Sequence, residues 1–412
     1  MNYQILFSML VIITAFSSYL NYKFFKLPKT IGLTIITLFI SLFVMIMLNI
    51  FPILFSPINE ILSGVNFKET VLNIMLGYLL FAGALHVNVI DLKKNLFPVI
   101  YLASIGVLIS TILSGFLIWW LSNFIGFKVP FLYCLLFGSL ISPTDPIAVL
   151  AVFKETKNIP KKIKMRITGE ALFNDAAGII LFVLLSTLII SHNDISFKIV
   201  SYNIIHEVVG GIVLGWGLSS LVSLILKKVD DKEVTILATL AIASTGYMIS
   251  QQLHVSAPIA MVISGLVIGS NIRKEKFTRK TIVFLEAFWG LVDDILNSFL
   301  FVLIGLEMLT INFYFSIFLV GIIAFFAILV TRFICVSIPT LFVNIKLRKF
   351  YWRENILMSW GGMRGGISIA LALSITSSAS QFIIPLTYAV VILSIVIQGL
   401  SFKRVSTKLF PN

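Results

Sequence analysis

Five ionisable side chains sit inside otherwise apolar stretches of this sequence, and any chemistry must start from them. Asp145 lies in Ser142-Pro143-Thr144-Asp145-Pro146. Glu170 and Asp175 lie in Gly169-Glu170-Ala171-Leu172-Phe173-Asn174-Asp175. Arg332 follows Thr331, and Arg364 lies in Gly361-Gly362-Met363-Arg364-Gly365-Gly366. An ionisable group near a bilayer centre costs roughly 2.5–3.5 kcal/mol on insertion scales, so each needs a partner or a function.

Two prolines within four residues cannot continue an α-helix; they remove backbone donors and release carbonyls. Within a membrane span such a break is tolerated only where the backbone lines a protein cavity or water. One reading of Asp145 is a proline kink with a helix-capping aspartate. The other, which the double break favours, is a cation site where the next half-helix points its positive end at a carboxylate.

The second carboxylate comes from the segment with Asn174 and Asp175. Adjacent residues on a helix point about 100° apart, and Glu170 lies about 140° from Asp175. The two acids do not share one role comfortably. One of Asn174 and Asp175 faces the break at Asp145 and the other reaches its edge, while Glu170 suits a buried pair with an arginine, because an unpaired buried charge destabilises severely. The plainer alternative is a polar stripe that holds helices together.

The four glycines around Arg364 make a second interruption. Interrupted segments at corresponding places in two chain halves point to a transporter site. No residue-level repeat is visible, so that correspondence rests on position. Asp293 and Asp294, with Glu286 nearer the cytoplasm, read either as a cation-attracting funnel or as a solvated helix end. Glu307 reads as a solvated outer end, and Gly210, Gly211, Gly215 and Gly217 as helix packing, within the chain or between subunits.

The elements that must hold these groups are membrane spans. Of 412 residues 58% are hydrophobic and 12% charged, where a soluble domain carries about 25% charged. Cutting at polar and Pro/Gly-rich breaks gives about thirteen segments, at roughly 4–22, 30–50, 70–89, 97–121, 130–153, 164–191, 201–226, 234–251, 256–271, 281–309, 312–343, 354–376 and 382–402. The fold class is therefore an all-α polytopic membrane protein, with interruptions near 142–146 and 361–366. The start Met1-Asn2-Tyr3-Gln4 lacks a basic n-region, so the first segment is expected to stay.

The net charge of +13 does not indicate nucleic acid. Numbering the loops alternately places 26 Lys and Arg on one side and only Lys68, Lys128 and Lys198 on the other, with Arg332 and Arg364 inside segments. That asymmetry puts the N-terminus outside and the C-terminus in the cytoplasm. Cys134 and Cys335 read as buried small hydrophobes. His86, His192, His206 and His254 show no metal-ligand spacing, and no cofactor is expected. The longest stretch outside the segments, about 51–69, leaves no room for a soluble domain. No G-x-x-x-x-G-K-[ST] loop supports an ATP-driven pump, and no H-E-x-x-H or nucleophile–base pair supports an intramembrane enzyme.

Together, Ser-Pro-Thr-Asp-Pro at 142–146, Gly-Glu-Ala-Leu-Phe-Asn-Asp at 169–175, Phe288-Trp289 followed by the run 296–307, and Trp-Gly-Gly-Met-Arg-Gly at 360–365 resemble sodium/proton exchangers. The match is to the NhaP-like bacterial branch of the monovalent cation:proton antiporters, kin of the eukaryotic sodium/hydrogen exchangers. The resemblance implies thirteen helices, inverted six-helix repeats and a homodimer. It implies one transporter domain in which a core of about 97–191 and 312–402 moves like an elevator against scaffold helices at about 1–89 and 201–309. It places Na⁺ at Asp145 and Asp175, with Thr144 and Asn174 beside them. It makes Glu170 the partner of Arg332, or failing that Arg364, and the Asn-Asp pair implies electroneutral exchange.

Relatives often carry a Glu where this chain has Ala82 and a Ser where it has Ala171; both departures remove an oxygen. The expected partners are Na⁺ (or Li⁺), H⁺, the lipid of the cytoplasmic membrane and a second copy of the chain. The expected role is pH homeostasis. K⁺/H⁺ exchange, cation-coupled solute transport and a gated channel are the transport alternatives.

Overall fold

The computed structural model describes residues 3–53, 56, 64, 66–126, 128–155, 159–191, 197–226, 229, 231–274, 278–311, 315–341, 345–377 and 379–411. Most of the 51–69 stretch, and the side chains at 154, 157, 192, 198, 227, 228, 274, 276, 346, 348 and 349, lie outside the described residues.

In lipid the backbone must satisfy its own hydrogen bonds, so long apolar runs close as helices. Among the described residues all regular structure is helical, and ten helices are long and apolar enough to cross a membrane. Ala257–Lys274 and two interrupted elements complete the thirteen expected segments. The interrupted elements are Phe131–Ile141 with Ile147–Glu155, and Ile345–Trp360 with Gly366–Ala372. Both breaks fall where Pro and Gly cluster, although the second helix already resumes at Gly366.

Polar residues mark the helix starts. Asp231 accepts the amides of Glu233 and Val234, both at 2.9 Å, at the head of Lys232–Gln252. Asn88 does the same for Ile90 and Asp91 and opens a short separate helix, Val89–Lys94. The expected segment 70–89 therefore ends earlier, at Leu85.

The chain divides into two compact units. One holds residues 1–71, 109–164 and 297–412; the other holds 72–108 and 165–296. In the first, hydroxyls on Lys29–Ile50 reach carbonyls of Arg279–Leu306: Thr34 donates to Phe301 at 3.3 Å and Ser41 to Gly305 at 2.9 Å. Tyr388 donates to Ile304 at 2.8 Å. Hydroxyl-to-backbone bonds of this kind hold helices together where no hydrophobic force acts between them.

In the second unit, Ala257–Lys274 packs closely on its neighbours through small residues. A Cβ at Gly265 would sit 2.5 Å from the Phe81 carbonyl. Gly211 and Gly215 lie against the Ser256 and Ala260 carbonyls, which makes them packing residues within one chain. Trp289 is fully buried, donates to Thr239 at 3.0 Å and lies against Phe81 and Tyr78.

Candidate cation site

Within the first unit the two helix breaks meet. Phe131–Ile141 stops at Ser142 and Ile147–Glu155 starts after Pro146. The second break is Gly361–Gly365. The Asp145 amide donates to the Met363 carbonyl at 2.7 Å. In return, Arg364 Nη1 donates to the carbonyls of Ser142 at 2.6 Å and Pro143 at 2.9 Å. The carbonyls released by the prolines are thus taken up by a buried guanidinium. Both backbones are irregular, and each satisfies the other.

The Asp145 carboxylate has two surroundings. Oδ1 accepts the Ile147 amide at 2.9 Å and so caps Ile147–Glu155. Oδ2 faces Gly365, and a Cβ at position 365 would fall 2.7 Å from Asp145 Cβ. Glycine is needed here for close approach rather than for turning. Gly362 plays a similar part: a Cβ there would lie 2.8 Å from Arg332 Nε and 3.3 Å from Thr144 Cγ2. Thr144, Arg332 and Arg364 are buried, whereas Asp145 is half-buried.

Further side chains brace this centre. Ser142 Oγ donates to Gly138 at 2.6 Å and lies 2.9 Å from Ser110 Oγ. Arg364 N–H donates to Ser394 Oγ at 3.0 Å, Ser394 donates to Gln398 Oε1 at 2.5 Å, and Gln398 Nε2 donates to the Trp360 carbonyl at 2.9 Å. A small cavity is lined by Arg332, Gly362, Arg364, Ser394 and Gln398. Below the break, buried Glu354 pairs with Lys162 at 2.5 Å.

The other candidate site acids, Glu170, Asp175, Asp293 and Asp294, lie in the second unit. Glu170, Asn174 and Asp175 share the helix Lys161–Ser191. Glu170 is buried, Asn174 is fully buried and Asp175 is half-buried. Gly169 brings this helix against Leu92 and Val99, where a Cβ would sit 2.9 Å from both side chains. Asp293 is half-buried and Asp294 exposed on the helix Arg279–Leu306.

A family model described as sodium/hydrogen exchanger, transmembrane, matches residues 11–408. The chain belongs to the sodium/hydrogen exchanger family. It is thus a transporter, not an enzyme. It is 37% identical over 411 residues to the Na⁺/H⁺ antiporter NhaP of Pseudomonas aeruginosa, covering 98% of this chain and 96% of that protein. It is 32% identical to the Na⁺/H⁺ antiporter ApNhaP of Aphanothece halophytica, covering 83% of this chain and 65% of that one. Its fold matches the sodium proton antiporter MjNhaP1 of Methanocaldococcus jannaschii at pH 8 with a TM-score of 0.76 and 21% identity, over the whole of both chains.

For this exchanger the structure gathers Thr144, Asp145, Arg332 and Arg364 in one unit, and Glu170, Asn174 and Asp175 on one helix of the other. Arg364 binds the carbonyls of the first break, a role its sequence context does not announce. One acid differs from expectation, and a second gains a partner. Glu307 is buried and accepts from Thr310 Oγ1 at 2.5 Å, so it is no solvated end. Glu286 is paired with Arg273 at 3.1 Å, and Arg273 also donates to the Leu85 and Val87 carbonyls at 2.8 and 3.0 Å. Glu286 therefore helps to brace a helix end. Ser394 and Gln398 escape sequence reasoning, although a glutamine in the run Ser394-Ile395-Val396-Ile397-Gln398 is a signal of its own.

Proposed function

We infer that this chain is a secondary antiporter that exchanges a monovalent cation, Na⁺ foremost and Li⁺ with it, for protons across the cytoplasmic membrane. The observation that carries this reading is the pair of hydrogen-bonded helix breaks around Asp145, in a member of an exchanger family. Irregular backbone at membrane depth, closed on itself and beside a carboxylate, is the arrangement that transporters use for ions.

In this reading Asp145 and Asp175 carry the charge, and Thr144 and Asn174 add oxygens. A cation sheds its water only where protein oxygens replace it. A carboxylate can hold a cation or a proton but not both, so the two compete. Exchange follows when the loaded site alternates its exposure. One negative charge at the Asn174–Asp175 position supports an electroneutral cycle. Glu170 is the structural partner of Arg332 or Arg364, and Asp293 and Asp294 draw cations toward the site.

The core and scaffold division, the inverted repeats, the homodimer and the outward N-terminus belong to the same proposal. The charge asymmetry of the loops supports the orientation. The test is dequenching of a pH dye in proteoliposomes given Na⁺, Li⁺ and K⁺ in turn, with and without a clamped potential. Dequenching by Na⁺ that is indifferent to the clamp agrees with the reading. Dequenching by K⁺ alone, or none by any cation, overturns it.

A further inference from the structure

Ser394 and Gln398 are polar, lie in the apolar span Ser380–Leu409, and are 0% and 2% exposed. Groups buried this deeply cost stability unless they are bonded. Theirs are bonded to main-chain atoms of the second helix break. Gln398 holds the carbonyl of Trp360, where Ile345–Trp360 ends. Ser394 holds the amide of Arg364, near the far end of the break. The Ser394–Gln398 bond joins the two holds. The stretch is a π-helical turn, a form often found at functional sites.

Between the two anchored points lies Met363, whose carbonyl receives the Asp145 amide. Arg364 itself carries the guanidinium that holds the Ser142 and Pro143 carbonyls. We propose that Ser394 and Gln398 are positioning residues for ion exchange, a clamp that fixes the Gly361–Gly365 backbone and through it Asp145. The inference rests on the exchange reading. Simple helix packing would direct these bonds to another helix's ordered backbone, but here they land on groups that the break has released.

The amide of Gln398 has a defined direction, because only its nitrogen can serve the Trp360 carbonyl. An ionised carboxylate at that position has no donor. Three variants of the full chain separate clamp from packing: Gln398→Glu, Ser394→Ala, and Ser394→Thr, which keeps the hydroxyl. Na⁺-driven exchange is measured in proteoliposomes, with thermal unfolding in detergent recorded alongside.

Gln398→Glu and Ser394→Ala are expected to raise the apparent KM for Na⁺ by about tenfold or more, as displacement of a positioned group does. Ser394→Thr is expected to restore it. Ser401→Ala removes the acceptor of the Trp360 indole outside the clamp and should leave KM unchanged. KM is read on the folded fraction, so a loss of yield does not hide the result. Wild-type KM in both Gln398→Glu and Ser394→Ala, at whatever melting temperature, overturns the clamp. Absence of Na⁺-driven exchange in the wild-type protein overturns instead the exchange reading beneath it.

Discussion

The amide of Asp145 donates to the carbonyl of Met363 at 2.7 Å, so the two interrupted helices complete each other's backbone. Arg364 returns the bond through Ser142 and Pro143. Neither break is then a local defect. A change in one is expected to move the other, and the carboxylate between them reports the movement.

Asp145 caps Ile147–Glu155 as well as bearing charge, and the two roles separate by substitution. Asparagine caps a helix about as well as aspartate, whereas alanine loses about 1 kcal/mol. Asp145→Asn is expected to melt near the wild-type temperature yet lose cation-driven exchange. Asp145→Ala should lose both. Retained exchange in Asp145→Asn would leave this residue a helix cap alone.

Gly365→Ala adds a methyl group where Asp145 already stands. The neighbour is a side chain next to an irregular backbone, so it is displaced rather than accommodated. Exchange is expected to fall by about a hundredfold, the scale of a 1 Å misplacement. Gly217, with open space around its Cβ position, is the control: Gly217→Ala should transport normally.

Arg364→Met removes the donor from two buried carbonyls. Each acceptor left unsatisfied costs about 1–3 kcal/mol, so the variant is expected to show a clearly lowered melting temperature in detergent. An unchanged melt would mean that the paired breaks do not depend on the guanidinium.

Arg273 is a contrasting case, since its side chain and that of Glu286 are 31% and 40% exposed. Its value lies in the two helix-end carbonyls more than in the ion pair, which solvent screens. Arg273→Ala is expected to lower stability by about 1–2 kcal/mol and to leave ion selectivity alone. Glu286→Gln should be nearly silent in thermal unfolding, and more so at high salt.

The sequence makes the spans legible because lipid permits little besides helices and because turn chemistry is loud. Pro143, Pro146 and the glycines at 361, 362, 365 and 366 mark both breaks to within a residue. What closes the breaks is less visible. The bond from Asp145 to Met363 is main chain to main chain and has no residue signature. Arg364 reads as a charge in search of an acid, yet it serves carbonyls as well. Glu307 and Glu286 show the limit of position alone: a carboxylate near a helix end turns solvated, buried or paired according to Thr310, one turn along the same chain, or Arg273, which only the folded chain brings close.

The central claim is that cation and proton compete for the carboxylate of Asp175. The direct measurement is Na⁺-induced dequenching of a pH dye in proteoliposomes containing Asp175→Asn, compared at equal folded protein with wild type. The account predicts a normally folded variant that gives no dequenching with Na⁺ or Li⁺ at any pH at which the wild type is active. Dequenching that persists in Asp175→Asn would contradict it.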